Sequence, residues 1–189
     1  MPKVIDDGFV YQAVMQVVSE CGYAGATTKQ MADAADISEM TLFRRYGSKV
    51  QLVRQAIAHI VSQAGFSSAA EYTGDLRVDL ERIVQAYQAA AVKNGLFFMA
   101  LFSEAARVPD LLDSFDQPLE IFHSIEELIV RYQEEGKLRQ ENPMQSVAAL
   151  LGPLMYFSLM QKGLGAGLVN IDLDDHVEAF LEGRRRREG

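Results

Sequence analysis

The sequence predicts an all-α protein, and three observations predict it. Apolar residues recur at intervals of three and four through nearly every segment of the 189 residues, the spacing that gathers side chains on one helical face. No useful run alternates with the period of two that a half-buried strand requires. Capping residues precede several of the periodic runs, and glycines follow them.

In chain order, Phe9, Val10, Ala13, Val14, Val17, Val18 and Cys21 form the first stripe, and Gly22 is placed to end it. Thr27 caps a short helix containing Met31, Ala32 and Ala35, and Ser38 caps the next, which holds Leu42 and Phe43. Gly47-Ser48 breaks the chain before a longer helix lined by Val50, Val53, Ile57, Ile60 and Val61. Residues 65–74 read as a junction. Leu76, Leu80, Ile83, Val84, Tyr87 and Ala91 mark a long helix expected to stop near Asn94-Gly95, with 96–107 a separate apolar helix closed by Pro109. Pro118 lies in the first turn of a helix reaching about Glu135. Asn142-Pro143 opens a helix that runs to about Lys162 with a bend expected at Pro153. Asp172 caps the last one, which contains Val177, Phe180 and Leu181.

At 49% hydrophobic and 23% charged, the composition supports a buried core and excludes a disordered tail or disulfide scaffold. The single cysteine, Cys21, excludes an internal disulfide and a cysteine-built zinc site. The net charge of −8 opposes nucleic acid as a partner, yet the charge is unevenly spread. Residues 1–60 hold six basic and six acidic side chains, and between Met40 and Ala70 four cations face no acid. A local cationic patch binds phosphate while the rest of a molecule repels it. No secretory signal is legible at the start, and the charge-free run 142–161 is interrupted by Pro153 and polar residues. A cytoplasmic protein without a membrane partner is expected.

Two short helices joined across Ala35-Asp36-Ile37-Ser38 form a helix-turn-helix, with Asp36 where a left-handed residue is wanted. The second helix exposes Glu39, Met40, Thr41, Arg44 and Arg45 while Leu42 and Tyr46 pack inward. A helix fits the major groove of DNA, and arginine pairs bidentately with guanine. Lys49 adds charge at the start of the next helix, where backbone amides also favour phosphate.

These residues resemble the TetR-like (tetracycline-repressor-like) transcriptional regulators from about Phe9 to Val53. The resemblance rests on Gly22-Tyr23, Thr27, Met31-Ala32, Ala35-Asp36-Ile37-Ser38, Thr41-Leu42-Phe43, Tyr46-Gly47-Ser48-Lys49 and Leu52. It implies a helix-turn-helix domain at 1–48 and a helical ligand-binding and dimerisation domain at 49–189, with 49–64 as connector. It further implies that Thr27, Lys29, Ser38, Thr41, Phe43, Arg44, Arg45 and Lys49 contact double-stranded DNA. A homodimer paired through 143–162 and 172–183, a repressor action and a small-molecule effector are expected, with no cofactor. The aromatic-rich second part offers Tyr87, Phe98, Phe102, Phe122, Tyr156 and Met160 as candidate effector contacts, with Glu104 and His123 as polar anchors beside Arg107 and Gln161. The alternative is a helical small-molecule binding protein that does not recognise DNA sequence.

Glu120 and His123 have the spacing of a di-iron helix, but neither His59 nor His176 follows an acid at that interval. Neither a metal site nor an enzyme is expected. Arg184–Arg187 reads as a solvated terminus.

Overall fold

The structure, a computed structural model, describes residues 5–164 and 171–185. Arg186 and Arg187 of the basic run lie outside the described residues. Among the described residues ten α-helices form: α1 Asp7–Gly25, α2 Thr28–Ala34, α3 Glu39–Tyr46, α4 Lys49–Gln63, α5 Phe66–Ala69, α6 Leu76–Ala105, α7 Pro109–Leu112, α8 Asp116–Glu134, α9 Pro143–Leu164 and α10 Leu173–Arg184. Asp113–Phe115 adds a 3-10 turn. Among the described residues no strand forms, although Leu138 and Arg185 meet in an isolated antiparallel bridge. None of the described helices is long and apolar enough to cross a membrane.

Helix starts follow the capping chemistry. Asp6 accepts from Gly8 N at 2.9 Å, Asn142 from Met144 N at 2.9 Å and Asp172 from Asp174 N at 2.9 Å. Thr27 and Gln30 form a reciprocal capping box, with Gln30 N on Thr27 Oγ1 at 3.2 Å and Thr27 N on Gln30 Oε1 at 2.8 Å.

Two compact units result, each with its own core. The first comprises Met1–Gln63 and Leu96–Pro118. Its core gathers Val10, Val14 and Val18 of α1, Met31 and Leu42 of the helix-turn-helix, and Leu52, Val53, Ala56 and Ile57 of α4. Phe97 and Leu101 of α6, with Leu111 and Phe115 beyond it, join the same cluster. The second unit comprises Ala64–Gly95 and Leu119–Gly189, built around Leu80, Ile83, Ile129, Tyr132, Leu150, Leu154 and Leu181. The buried face of α4 belongs to the first core, and 96–118 returns to it.

α6 also departs from expectation by running unbroken through Asn94-Gly95. The Asn94 amide donates to Ala90 O at 3.2 Å, one turn back, instead of ending the helix. Gly95 is buried, and a β-carbon there would lie 3.7 Å from a Leu159 methyl group. This glycine admits a packed neighbour; it does not stop a helix. Phe9 and Cys21, counted with the first apolar stripe, are exposed.

Gly22 does interrupt α1, at φ 71° and ψ 165°. That backbone region is essentially closed to residues carrying a β-carbon. A side chain there would also come within 3.2 Å of Glu104 Oε1. Gly22→Ala is expected to destabilise the first unit by about 1–3 kcal/mol, read as a lowered urea midpoint. An unchanged midpoint would mean that the kink is not required.

Candidate nucleic-acid interface

The geometry of the turn fixes what α3 presents. Ala35 N donates to Met31 O at 3.0 Å, Asp36 N to Asp33 O at 3.1 Å and Ile37 N to Ala32 O at 3.0 Å. Asp36 sits at φ 52°, the one non-glycine with positive φ among the described residues. Aspartate tolerates this region better than most side chains do. Ser38 Oγ then accepts from Thr41 N at 3.2 Å and lies 2.8 Å from Thr41 Oγ1, opening α3.

Leu42 and Tyr46 are buried on the inner face of α3, so the opposite face is turned to solvent. Met40 is 81% exposed, and Phe43 and Arg44 are exposed beside it. The acid at the head of the helix, Glu39, is engaged locally: Thr28 Oγ1 donates to it at 2.5 Å.

The eight residues implied for DNA contact separate into three situations. Lys29 and Arg44 are exposed and form no hydrogen bond or ion pair with the described residues, and Phe43 stands beside them. Thr27, Ser38 and Thr41 lie at the first turns of α2 and α3, where their hydroxyls shape the caps. Arg45 and Lys49 are both committed to intramolecular partners.

Arg45 pairs bidentately with Asp7 of α1, Nε to Oδ1 at 2.8 Å and Nη2 to Oδ2 at 2.9 Å. The Tyr46 hydroxyl donates to the same Asp7 oxygen. The Arg45 and then the Tyr46 hydrogen bond hold the Asp7 carboxyl below its ordinary range. Tyr46 is pushed up, first by burial and then by bonding to Asp7. Lys49 is half-buried, donates from Nζ to the Tyr23 carbonyl and lies 4.2 Å from the centre of the Tyr23 ring. Burial pushes its ammonium down from the usual lysine value. The structure thus fastens Lys49 against the end of α1, apart from the outward cations of α2 and α3.

Three contacts escape sequence reasoning: Asp7 with Arg45, the Tyr46 hydroxyl with Asp7, and the partner of Glu104. Glu104, a candidate effector anchor, accepts from Ala24 N at 3.0 Å and so caps backbone beside the Gly22 kink. No local pattern signals pairs 38 or 80 residues apart.

The other candidate effector residues fall into separate groups. Phe98 and Phe102 belong to the first unit, where Phe102 stacks on Phe115 with ring centres 4.5 Å apart. Tyr87 and Phe122 belong to the second, with ring centres 6.4 Å apart, and burial pushes Tyr87 up to about 12. Met160 is half-buried, whereas Tyr156 is exposed. His123 is also exposed, and its Nδ1 lies 3.2 Å from Oε2 of Glu126, one turn after it, and not from the Glu120 of the di-iron spacing one turn before it. Two grooves of the second unit, one lined by Thr73, Arg77 and Lys137 and the other by Tyr72, Glu127 and Arg131, include none of the eight candidates. Among the described residues no group of three metal-ligating side chains converges.

Residues 11–56 match the family model of the bacterial regulatory proteins of the tetR family. An uncharacterised HTH-type transcriptional regulator of Bacillus subtilis, YvkB, is 24% identical over 173 residues, spanning 89% of each chain. Among solved structures, a Clostridium perfringens protein described as a fatty acid metabolism regulator superposes with a TM-score of 0.76 at 16% identity, covering 92% of this chain and 97% of that one. A TetR-family transcription regulator from Marinobacter aquaeolei gives 0.73 at 12% identity, with 96% of both chains covered. At such identities the structural likeness establishes the shared fold. With the family model matched across residues 11–56 and the fold matched along nearly the whole length, the chain carries a helix-turn-helix segment similar to that of the TetR family of bacterial transcriptional regulators.

Proposed function

We propose that the chain is a homodimeric repressor that reads a near-palindromic operator through α3 and releases it when an apolar or aromatic small molecule binds. The observation that carries the DNA-reading part is the outward face of α3. Met40, Phe43 and Arg44 stand in solvent there, Arg44 and Lys29 of α2 having no side-chain partner among the described residues, while the whole acidic excess lies beyond residue 60. Pairing of two copies is supported by α9, whose exposed residues Met144, Ala148, Gly152 and Tyr156 recur every four positions as one apolar strip. A two-fold pairing buries such a strip against itself. Two recognition helices then sit roughly 34–36 Å apart, one turn of DNA. An effector that favours a state with displaced recognition helices shifts the population off the operator, for which a coupling of ~1–3 kcal/mol suffices.

Selection of bound duplexes from a random pool tests the reading. The expected result is an enriched near-palindrome with half-site centres about 10 base pairs apart. A pool that stays unenriched even at low salt would overturn it and favour the small-molecule binding alternative.

Among the described residues Arg44 has no side-chain partner to fix its orientation, which suits a phosphate contact. Arg44→Ala is therefore expected to weaken all duplexes similarly and to reduce the slope of log affinity against log salt by about one. Titrations at three salt concentrations check this. Loss confined to one operator position would make Arg44 a base reader instead.

A further inference from the structure

We propose that Asp7 is a positioning residue for DNA recognition, holding Arg45 in one orientation so that the outer edge of its guanidinium reads a base. The inference rests on α3 being the DNA-reading element. A guanidinium carries five N–H donors in a planar fork. Asp7 engages the Nε edge and one Nη2 hydrogen at 2.8 and 2.9 Å. The three remaining N–H groups, two on Nη1 and one on Nη2, lie at the end of the plane away from Asp7. That end matches the paired acceptors O6 and N7 of guanine in the major groove.

Asp7 is itself fixed. It lies in the first turn of α1, and its Oδ1 also accepts from the hydroxyl of Tyr46, a residue only 4% exposed. Tyr11 packs edge-on against Tyr46 with ring centres 6.0 Å apart. The Arg45 side chain remains 43% exposed, so it is oriented without being hidden. An arginine ordered beforehand loses less freedom on binding than one that must be ordered by DNA. An exposed ion pair contributes little stability by itself, and an acid beside phosphates repels them. Orientation is what the pair supplies. The neighbouring Arg44, exposed and without a partner among the described residues, lacks any such support. The two arginines accordingly divide the work, Arg45 on a base and Arg44 on the backbone.

The test compares wild type, Asp7→Ala, Asp7→Glu, Arg45→Ala and the double variant. Each is titrated with the selected operator, with its single-base-pair variants and with a random-sequence duplex. Asp7→Ala is expected to weaken the operator about tenfold and to lose discrimination at the same half-site position as Arg45→Ala. Its affinity for the random duplex stays level or rises, because a negative charge has gone. Asp7→Glu restores the discrimination, and the double variant binds the operator no worse than Arg45→Ala. Tighter binding of operator and random duplex alike would overturn the proposal, since Asp7 would then only offset charge. Equal weakening of both, with a lowered Tm, would overturn it in favour of a structural brace. An operator read unchanged by Asp7→Ala sinks this inference alone; a wild-type chain that selects no sequence sinks the function proposed above together with it.

Discussion

Leu42→Ala is expected to cost about 2–5 kcal/mol and to abolish operator binding. Leu42 is 1% exposed on the inner face of an eight-residue helix. Isolated helices that short are not stable in water, so α3 exists because its apolar face is packed. Only Leu42 and Tyr46 of α3 are fully buried, and they share a core with Met31, Ala35, Leu52 and Val53. Truncating Leu42 leaves a cavity in that core and removes one of the two anchors that aim the outward face. Urea unfolding with a parallel DNA titration measures both consequences. A loss below about 1 kcal/mol with intact DNA binding would show that α3 is held by something other than this packing.

The second large effect is expected at Glu141, in the segment that leads into α9. Burial alone would raise its carboxyl, but the Ser146 hydroxyl, Arg139 and Arg184 outweigh this and hold it down to about 2. Arg184 Nε of α10 lies 2.7 Å from it, and the pair is 19% and 13% exposed. Arg139 approaches at 2.5 Å, while Arg139 N donates to Arg184 O at 2.8 Å. The network ties the end of α10 to the turn after α8 within the second unit. Because the folded carboxyl titrates below its ordinary 4.5, its contribution is complete above about pH 4.5 and is lost as pH falls through about 2. Glu141→Gln is expected to lower stability at pH 7 by on the order of 3 kcal/mol. It should also flatten the pH dependence below 4.5. Urea midpoints at pH 7, 4 and 2.5 check this, and a variant with the wild-type acid slope would place that slope on other groups.

What was legible in the sequence is what depends on near neighbours. Caps at Thr27, Ser38 and Asp172, the left-handed Asp36 and the inward pair Leu42 and Tyr46 all follow from residues within one turn of each other. Asn94-Gly95 misled for a related reason: the pair has stop chemistry, and only the burial of Gly95 against Leu159 shows why the helix continues. Lys49 was legible as a cation in the right place, but its engagement with Tyr23 depends on how α4 meets α1. The Asp7–Arg45 pair is likewise a product of folding, with both partners common surface types and nothing local to mark them. Aromatic content marks most of the effector candidates but does not reveal that Phe102, stacked on the buried Phe115, and Tyr156 of α9 are both exposed.

The central claim is that the exposed face of α3 enters the major groove. Met40, 81% exposed at the head of that helix, is the position to probe. Met40→p-benzoylphenylalanine, irradiated on a duplex enriched from the random pool, should attach to major-groove base edges at two points about one helical turn apart. The same photoreactive residue at Tyr156 should attach to a second copy of the chain and not to DNA. Attachment from position 40 to protein alone, or to DNA without a preferred position, would contradict the account.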